Sequence, residues 1–197
     1  MVSAVVALPS HERGWYLGGM ELVGGETEPL AVWGARGGHG ATTIAIVLSA
    51  LLGRAYQGEP SWMVGWMLGG PPTTDGAHPP IVDRGALSPA RDGSTNLAVL
   101  RGPCLIGLRT LQDVADEIDH LIVIREPWRR VSNPDVESVL GTPVEVEVPF
   151  SERVPQLSDA GLLGARLGAL VEFEALASWA ATMSFRSSPG VRASIDL

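Results

Sequence analysis

Short apolar runs separated by polar, glycine-rich or proline-rich segments recur along the chain from residue 30 onward. Apolar runs that stop at glycine, proline or aspartate are typical of buried β-strands. One further run, near residue 144, alternates valine with glutamate, which is typical of a strand with one exposed face. The pattern predicts six strands, at residues 30–33, 62–68, 81–83, 97–100, 121–124 and 144–148.

Helical patterns lie between and after these strands, at residues 42–54, 105–118, 133–140, 162–167 and 169–183. Strands that alternate with helices favour a parallel sheet covered by helices on both faces. The sequence therefore predicts a three-layer α/β/α domain with a mostly parallel sheet. We assign this domain to residues 30–185, an N-terminal arm or edge hairpin to 1–29 and a flexible tail to 186–197.

Composition and charge narrow the function classes. The chain has 197 residues and a net charge of −8, which disfavours non-specific binding to nucleic acid or to an anionic membrane. Cys104 is the only cysteine, so the chain forms no internal disulfide. The first residues lack the pattern of a secretion signal, and the apolar runs are shorter than the roughly 20 residues of a membrane helix. We therefore expect a cytoplasmic protein.

A glycine-rich segment at residues 35–43 follows the first predicted strand and opens the first helix. Glycines let backbone N–H groups converge on phosphate oxygens, and the helix N-terminus adds a partial positive charge. A phosphate-binding loop also needs a lysine for the β- and γ-phosphates and a hydroxyl for Mg²⁺. Thr42 and Thr43 supply hydroxyls, but Ala41 stands at the lysine position. All 14 basic residues of the chain are arginines, so no other segment donates a lysine.

Residues 36–43, RGGHGATT, resemble the deviant Walker A motif KGGxGKTT of the ParA/MinD family of P-loop ATPases. Arg36 takes the place of the signature lysine of that motif. Residues 81–83 resemble the Walker B strand with its terminal aspartate, and residues 97–103 resemble a later strand that leads into a helix. Residues 140–161 resemble the family segment whose post-strand loop lies beside the adenine. The resemblance covers roughly residues 30 to 185.

This resemblance implies a P-loop NTPase fold that binds ATP or ADP with Mg²⁺. It implies that the phosphates are bound by Arg36, Gly37, Gly38, His39, Gly40, Ala41, Thr42 and Thr43. It places Thr42 and Asp83 at the Mg²⁺ ion, and Pro149 and Phe150 beside the base. It also implies a homodimer, in which Arg36 reaches the partner's phosphates, and a ParB-like adaptor or another protein as partner.

Two departures from the family pattern bear on activity. The P-loop lysine is missing, and residues 63–68 lack the aspartate that helps the family activate water. Transition-state charge would then lack its main electrostatic partner, so we expect weak or absent ATPase activity. Two functions stay open at this point. One is a ParA/MinD-like partition or positioning protein that binds nucleotide weakly, and the other is a pseudo-ATPase scaffold for protein contacts that needs no nucleotide.

Several residues allow plainer interpretations. The glycine turn can serve packing alone, and Arg36 can be a solvated loop residue. His39 could donate to a phosphate when protonated, but an exposed loop histidine without function is the preferred interpretation. Arg125, Arg129 and Arg130 surround Trp128, and we expect a local salt-bridge network there in preference to a DNA contact. Lastly, the C-terminal helix has Glu172 and Glu174 and no basic face, which disfavours membrane docking.

Overall fold

A computed structural model describes residues 28–58, 65, 67–68 and 78–186. The predicted arm at 1–29, apart from its last two residues, lies outside the described residues, as does the predicted tail after residue 186. The described residues form an α/β fold with one six-stranded sheet. Its strands are β1 Leu30–Gly34, β2 Tyr56–Gln57, β3 Ile81–Ala86, β4 Thr95–Gly102, β5 His120–Arg125 and β6 Val144–Pro149.

All strand pairs in the sheet are parallel, and the strand order is β2-β3-β1-β4-β5-β6. The predicted three-layer fold with a parallel sheet is confirmed. β1 therefore lies between β3 and β4, so the chain builds the sheet first to one side of β1 and then to the other. In open α/β sheets, ligands bind outside the carboxyl ends of the strands at such a switch point. The loop that follows β1 occupies that position.

Six α-helices have both ends within the described part of the chain. They are α1 Ala41–Leu52, α2 Leu105–Gln112, α3 Asn133–Leu140, α4 Arg153–Asp159, α5 Leu163–Arg166 and α6 Glu174–Arg186. The start and end of α3 are both encoded locally. Ser132 and Asp135 form a capping box at its N-terminus, and Gly141 adopts a left-handed conformation at its C-terminus.

Helices cover both faces of the sheet and create two buried apolar clusters. One cluster joins α1 and the C-terminal helices to the sheet, through residues such as Ile44, Leu48 and Leu176. The other joins α2 and α3 to the opposite face, through residues such as Trp33 and Leu111. Strands β1, β4 and β5 contribute to both clusters, which explains their nearly continuous apolar sequences.

The predicted strand at 62–68 is wrong. Its described residues, Gly65, Met67 and Leu68, are helical, and the second strand of the sheet is instead the short edge strand β2. The backbone of Leu68 packs against Gly164, where a Cβ atom would collide with it. Periodicity cannot separate a buried helix from a buried strand in a short, fully apolar run.

Three predicted helices also differ from the structure in their bounds. The helix predicted at 105–118 ends at Gln112, and a separate 3-10 turn follows at Ala115–Glu117. The two predicted C-terminal helices are divided by 3-10 turns at Leu167–Ala169 and Val171–Phe173. Helix α4 was not predicted, because its short, largely polar sequence has no apolar periodicity.

Candidate functional site

The loop between β1 and α1 is shaped by two glycines with positive φ. Gly38 has a φ of 80° and Gly40 a φ of 87°, a region that favours glycine. A Cβ atom on Gly40 would also lie 2.8 Å from Cδ1 of Ile124. Gly40 is the N-cap of α1, and no side chain caps this helix end. The first N–H groups of α1 therefore have no side-chain acceptor, which suits an anion.

A cavity of about 420 Å³ lies between this loop and the ends of β4, β5 and β6. The structure brings together here most of the residues that the sequence singled out. The whole segment from Arg36 to Thr43 lines the wall that follows β1, and Pro149 and Phe150 line the wall at the ends of β4, β5 and β6. Among the described residues, the charged side chains that line the cavity are Arg36 and Arg101, and no carboxylate lines it. In a protein with a net charge of −8, the charged side chains of the described lining are thus all positive.

Asp83 is not among the lining residues of this cavity, although Gly85 and Ala86 from the same strand are. One carboxylate oxygen accepts a hydrogen bond from the Tyr56 hydroxyl, and the other accepts one from the Gly85 N–H, both at 2.9 Å. Asp83 therefore joins β2 to β3 beside the site. Each oxygen keeps further lone pairs, so the carboxylate can still accept a water.

His39 is buried, with 8% of its surface exposed, so the expectation of an exposed loop histidine is wrong. Its Nδ1 atom accepts a hydrogen bond of 3.3 Å from the backbone N–H of Arg101. Burial, followed by the charge of Arg36, lowers the pKa of His39. The imidazole is therefore neutral at pH 7, and it joins the loop to β4 rather than supplying a positive charge.

Arg101 at the end of β4 is a cavity residue that sequence reasoning missed. Its Nε atom donates to Oε1 of Glu126 at 2.8 Å, and its Nη1 atom donates to the Gly38 carbonyl at 3.3 Å. Its guanidinium also lies over the ring of Phe150, 4.6 Å from the centroid. The one sequence signal for Arg101 is its position as the first charged residue after the apolar part of a central strand.

Glu126 is buried and accepts hydrogen bonds from two arginines, Arg101 and Arg129. Burial works to raise the pKa of Glu126, but the hydrogen bonds from Arg129 and Arg101 outweigh it and lower that pKa. The carboxylate is therefore ionised at pH 7. Two positive charges and one negative charge leave this group of three with a net positive charge.

The expected salt-bridge network around Trp128 is confirmed for two of its three arginines. Arg125 pairs with Glu147 at 3.1 Å and also donates to Asn133 and to the Val131 carbonyl. Arg129 pairs with Glu126 at 3.2 Å. Trp128 itself is exposed and meets the edge of the Phe150 ring. Most of the basic charge here is thus engaged in the structure of the site wall.

The described part of the chain also lacks clusters of metal ligands and membrane-spanning helices. No group of three or more His, Cys, Asp or Glu side chains is placed there to hold a metal ion. No described helix is long and apolar enough to cross a membrane.

Comparison with known proteins identifies the fold. No protein-family model matches the chain, and no curated protein matches it in sequence. Among solved structures, it is similar to a ParA family ATPase from Chlorobium tepidum, with a TM-score of 0.62 at 15% identity over 80% of this chain and 99% of that one.

Two structures from Aquifex aeolicus are similar to the same degree. The MinD cell division protein gives a TM-score of 0.61 at 13% identity, over 80% of this chain and 97% of that one. A chain of the MinC:MinD cell division protein complex gives 0.62 at 13% identity, over 84% of this chain and 99% of that one. The described chain therefore has the same α/β fold as this ParA family ATPase and the MinD cell division protein.

Proposed function

We propose that the chain is a ParA/MinD-like partition or positioning protein that binds ATP or ADP weakly and hydrolyses ATP slowly or not at all. The observation that carries this proposal is the cavity at the switch point of the sheet, between the glycine loop and the loop that follows β6. Its arginine-containing lining without carboxylates suits a phosphate chain. The fold of the chain is also that of a ParA family ATPase.

In this proposal the residues divide by wall. The N–H groups of Gly37 to Thr43 and the N-terminus of α1 bind the phosphates, and Pro149 and Phe150 flank the base. Thr42 lines the cavity, and its hydroxyl would be a ligand of the Mg²⁺ ion that accompanies the phosphates. Asp83 would reach this ion only through water, because it is not among the residues that line the cavity.

Slow or absent hydrolysis follows from the residues of the loop. Ala41, in the first turn of α1, lines the cavity where the related motif has a lysine. Without the lysine, the site lacks a full positive charge beside the phosphoryl group that is transferred, where stabilisation of the transition-state charge matters most. Backbone donors remain, so binding survives this loss better than catalysis does.

The Arg36 side chain is exposed and has no hydrogen-bond or ion-pair partner among the described residues. It is therefore free to contact a second copy of the chain across the cavity. We propose a homodimer and a protein partner of the ParB-like adaptor kind, with any DNA contact made indirectly.

The test is isothermal titration of the protein with ATP and ADP, with and without Mg²⁺, together with a thermal-shift measurement and a phosphate-release assay. We expect a dissociation constant near the millimolar range, a raised Tm at millimolar nucleotide and little or no phosphate release. No heat and no Tm change with either nucleotide would reject nucleotide binding.

The second candidate function is a pseudo-ATPase scaffold for protein contacts. It is favoured by Ala41 at the lysine position and by the exposed apolar side chains of Leu105, Ile106 and Trp128, which follow β4 and β5. Exposed apolar residues at one end of a sheet are typical of contact surfaces. A partner that binds equally well with and without ATP would support the scaffold against the first proposal.

A further inference from the structure

The glycine loop has no fixed cation of its own. Ala41 is apolar, His39 is neutral at pH 7 because burial lowers its pKa, and Arg36 is exposed with no contact that holds it in place. Backbone N–H groups supply partial charges only, whereas a nucleotide brings several full negative charges. A cation that the loop lacks must therefore come from another element of the fold.

Arg101 is placed to supply that cation. Strand β4 is the parallel neighbour of β1, so the end of β4 lies directly beside the loop that follows β1. Three contacts hold the guanidinium at the cavity: Glu126 at 2.8 Å, the Gly38 carbonyl at 3.3 Å and the Phe150 ring face at 4.6 Å from its centroid. About a third of the side chain remains exposed, since its relative exposure is 36%.

We infer that Arg101 binds the phosphates of the nucleotide and replaces, from β4, the lysine that the loop lacks. This inference rests on the proposed function. A guanidinium has five donors, and the contacts with Glu126 and Gly38 use Nε and Nη1. The remaining donors can pair with phosphate oxygens in the forked geometry that arginine favours.

The nearby carboxylate does not cancel this role. Glu126 is not a lining residue of the cavity, whereas Arg101 is. Glu126 is also shared with Arg129, whose Nε atom donates to its second oxygen at 3.2 Å. The trio therefore keeps a net positive charge, and Glu126 fixes the direction of Arg101 instead of neutralising it.

Arg129 provides a matched control for the experiment. It has the same charge and the same Glu126 partner, but it is not a lining residue of the cavity. We would titrate wild type, Arg101→Ala and Arg129→Ala with ATP, with inorganic tripolyphosphate and with adenosine, by isothermal calorimetry at low salt. Tripolyphosphate tests the phosphate contact without a base, and adenosine tests the base without phosphate.

Loss of a charge-assisted hydrogen bond predicts that Arg101→Ala weakens ATP and tripolyphosphate binding by about 10- to 100-fold. Arg129→Ala should weaken both by less than about 3-fold, because its effect is that of a solvent-screened charge. Adenosine binding should be the same in wild type, Arg129→Ala and Arg101→Met, because methionine keeps a side chain packed on Phe150 beside the proposed base site. If Arg101→Ala lowers the Tm, Arg101→Met, which keeps the stem packed on Phe150 and removes the charge, carries the same test.

Equal losses in the Arg101 and Arg129 variants would overturn the inference, as would an equal loss of adenosine binding by Arg101→Met. Wild-type binding of ATP that Arg101→Ala leaves unchanged would overturn the inference and leave the proposed function intact. Wild type that binds neither ATP nor tripolyphosphate would overturn both.

Discussion

The two walls of the cavity, one formed by the loop after β1 and the other by the ends of β4, β5 and β6, differ in which atoms shape them. The wall after β1 is shaped by main chain: two glycines have positive φ, and the first N–H groups of α1 have no side-chain cap. The wall at the ends of β4, β5 and β6 is side chain, with Arg101 held by Glu126 and Phe150. The shape of an anion site and its positive charge can therefore reside on different elements. The charge can be lost from one element while the shape of the loop persists.

The strongest way to break the main-chain wall is a Gly40→Ala substitution. An L-residue at a φ of 87° is strained by about 1 to 2 kcal/mol. The new Cβ atom would also lie 2.8 Å from Cδ1 of Ile124, the end of a side chain that can move aside, so this contact adds about 1 kcal/mol at most. We expect the free energy of unfolding to fall by about 1 to 3 kcal/mol, measured by urea denaturation.

Gly37→Ala is the matched control in the same loop, because a Cβ atom at Gly37 meets nothing within 4 Å. Its effect on unfolding should stay within about 0.5 kcal/mol. Equal effects of the two substitutions would mean that the positive φ and the Ile124 contact do not shape the loop.

An Ala41→Lys substitution sharpens the comparison by returning a cation to the main-chain wall. Ala41 lines the cavity at the start of α1, so a lysine there can extend toward bound phosphate. We expect ATP affinity to rise by about tenfold, the value of one charge-assisted hydrogen bond. Calorimetric titration measures the change.

Ala41→Met serves as the control for the lysine variant, because it adds a side chain of similar reach without charge. It should leave ATP affinity unchanged or lower it by crowding. A gain in Ala41→Met equal to that in Ala41→Lys would show that contact area, and not charge, limits binding at this wall.

Glu126→Gln tests how the side-chain wall is held. Hydrogen bonds from Arg129 and Arg101 lower the pKa of Glu126 against the opposing effect of burial. A carboxyl group with a lowered folded pKa stabilises the protein above its unfolded pKa of about 4.3, and this contribution is lost as the pH falls through the folded pKa. At pH 7 we expect a loss of about 1 kcal/mol, modest because both arginines are partly exposed.

The pH dependence gives this prediction its control. Unfolding by urea, measured from pH 7 down to about pH 3, should show the difference between wild type and Glu126→Gln shrinking below about pH 4.5. A difference that stays constant over this range would mean that the ionised carboxylate is not what holds the two arginines.

Residues 36–43 of the main-chain wall could be selected from the sequence, whereas Pro149 and Phe150 were selected on the other wall and Arg101 was not. The difference has a physical reason. The main-chain wall is a run of consecutive residues, so its glycines and hydroxyl side chains can be recognised together in a short stretch of sequence. Arg101 meets Gly38 across 63 positions of sequence, and only the placement of β4 beside β1 brings them together. The burial of His39 was missed for the same cause, since its partner is the backbone of Arg101.

The strands β1 and β5 could be predicted because glycine or proline follows the end of each apolar run. The strand prediction at 62–68 is wrong. There the apolar run suits a buried helix as well as a strand, and in the structure its described residues are helical, with the backbone of Leu68 packed on Gly164. Phe150 is predicted to lie beside a base, and the structure shows it in contact with the Arg101 guanidinium. Neither contact has a signature in the local sequence.

Arg36→Ala should have the smallest effect, and it tests whether the loop carries a working cation. The Arg36 side chain is exposed, and an exposed ion pair contributes about 0 to 1 kcal/mol. We therefore expect ATP affinity to fall by less than about 3-fold at protein concentrations too low for self-association, measured by the same calorimetric titration as for Arg101→Ala. At higher concentrations a larger loss would locate the Arg36 contact in a dimer. A loss of ATP affinity at low protein concentration as large as that of Arg101→Ala would show that the glycine loop supplies a phosphate-binding cation. It would contradict the assignment of shape to one wall and charge to the other.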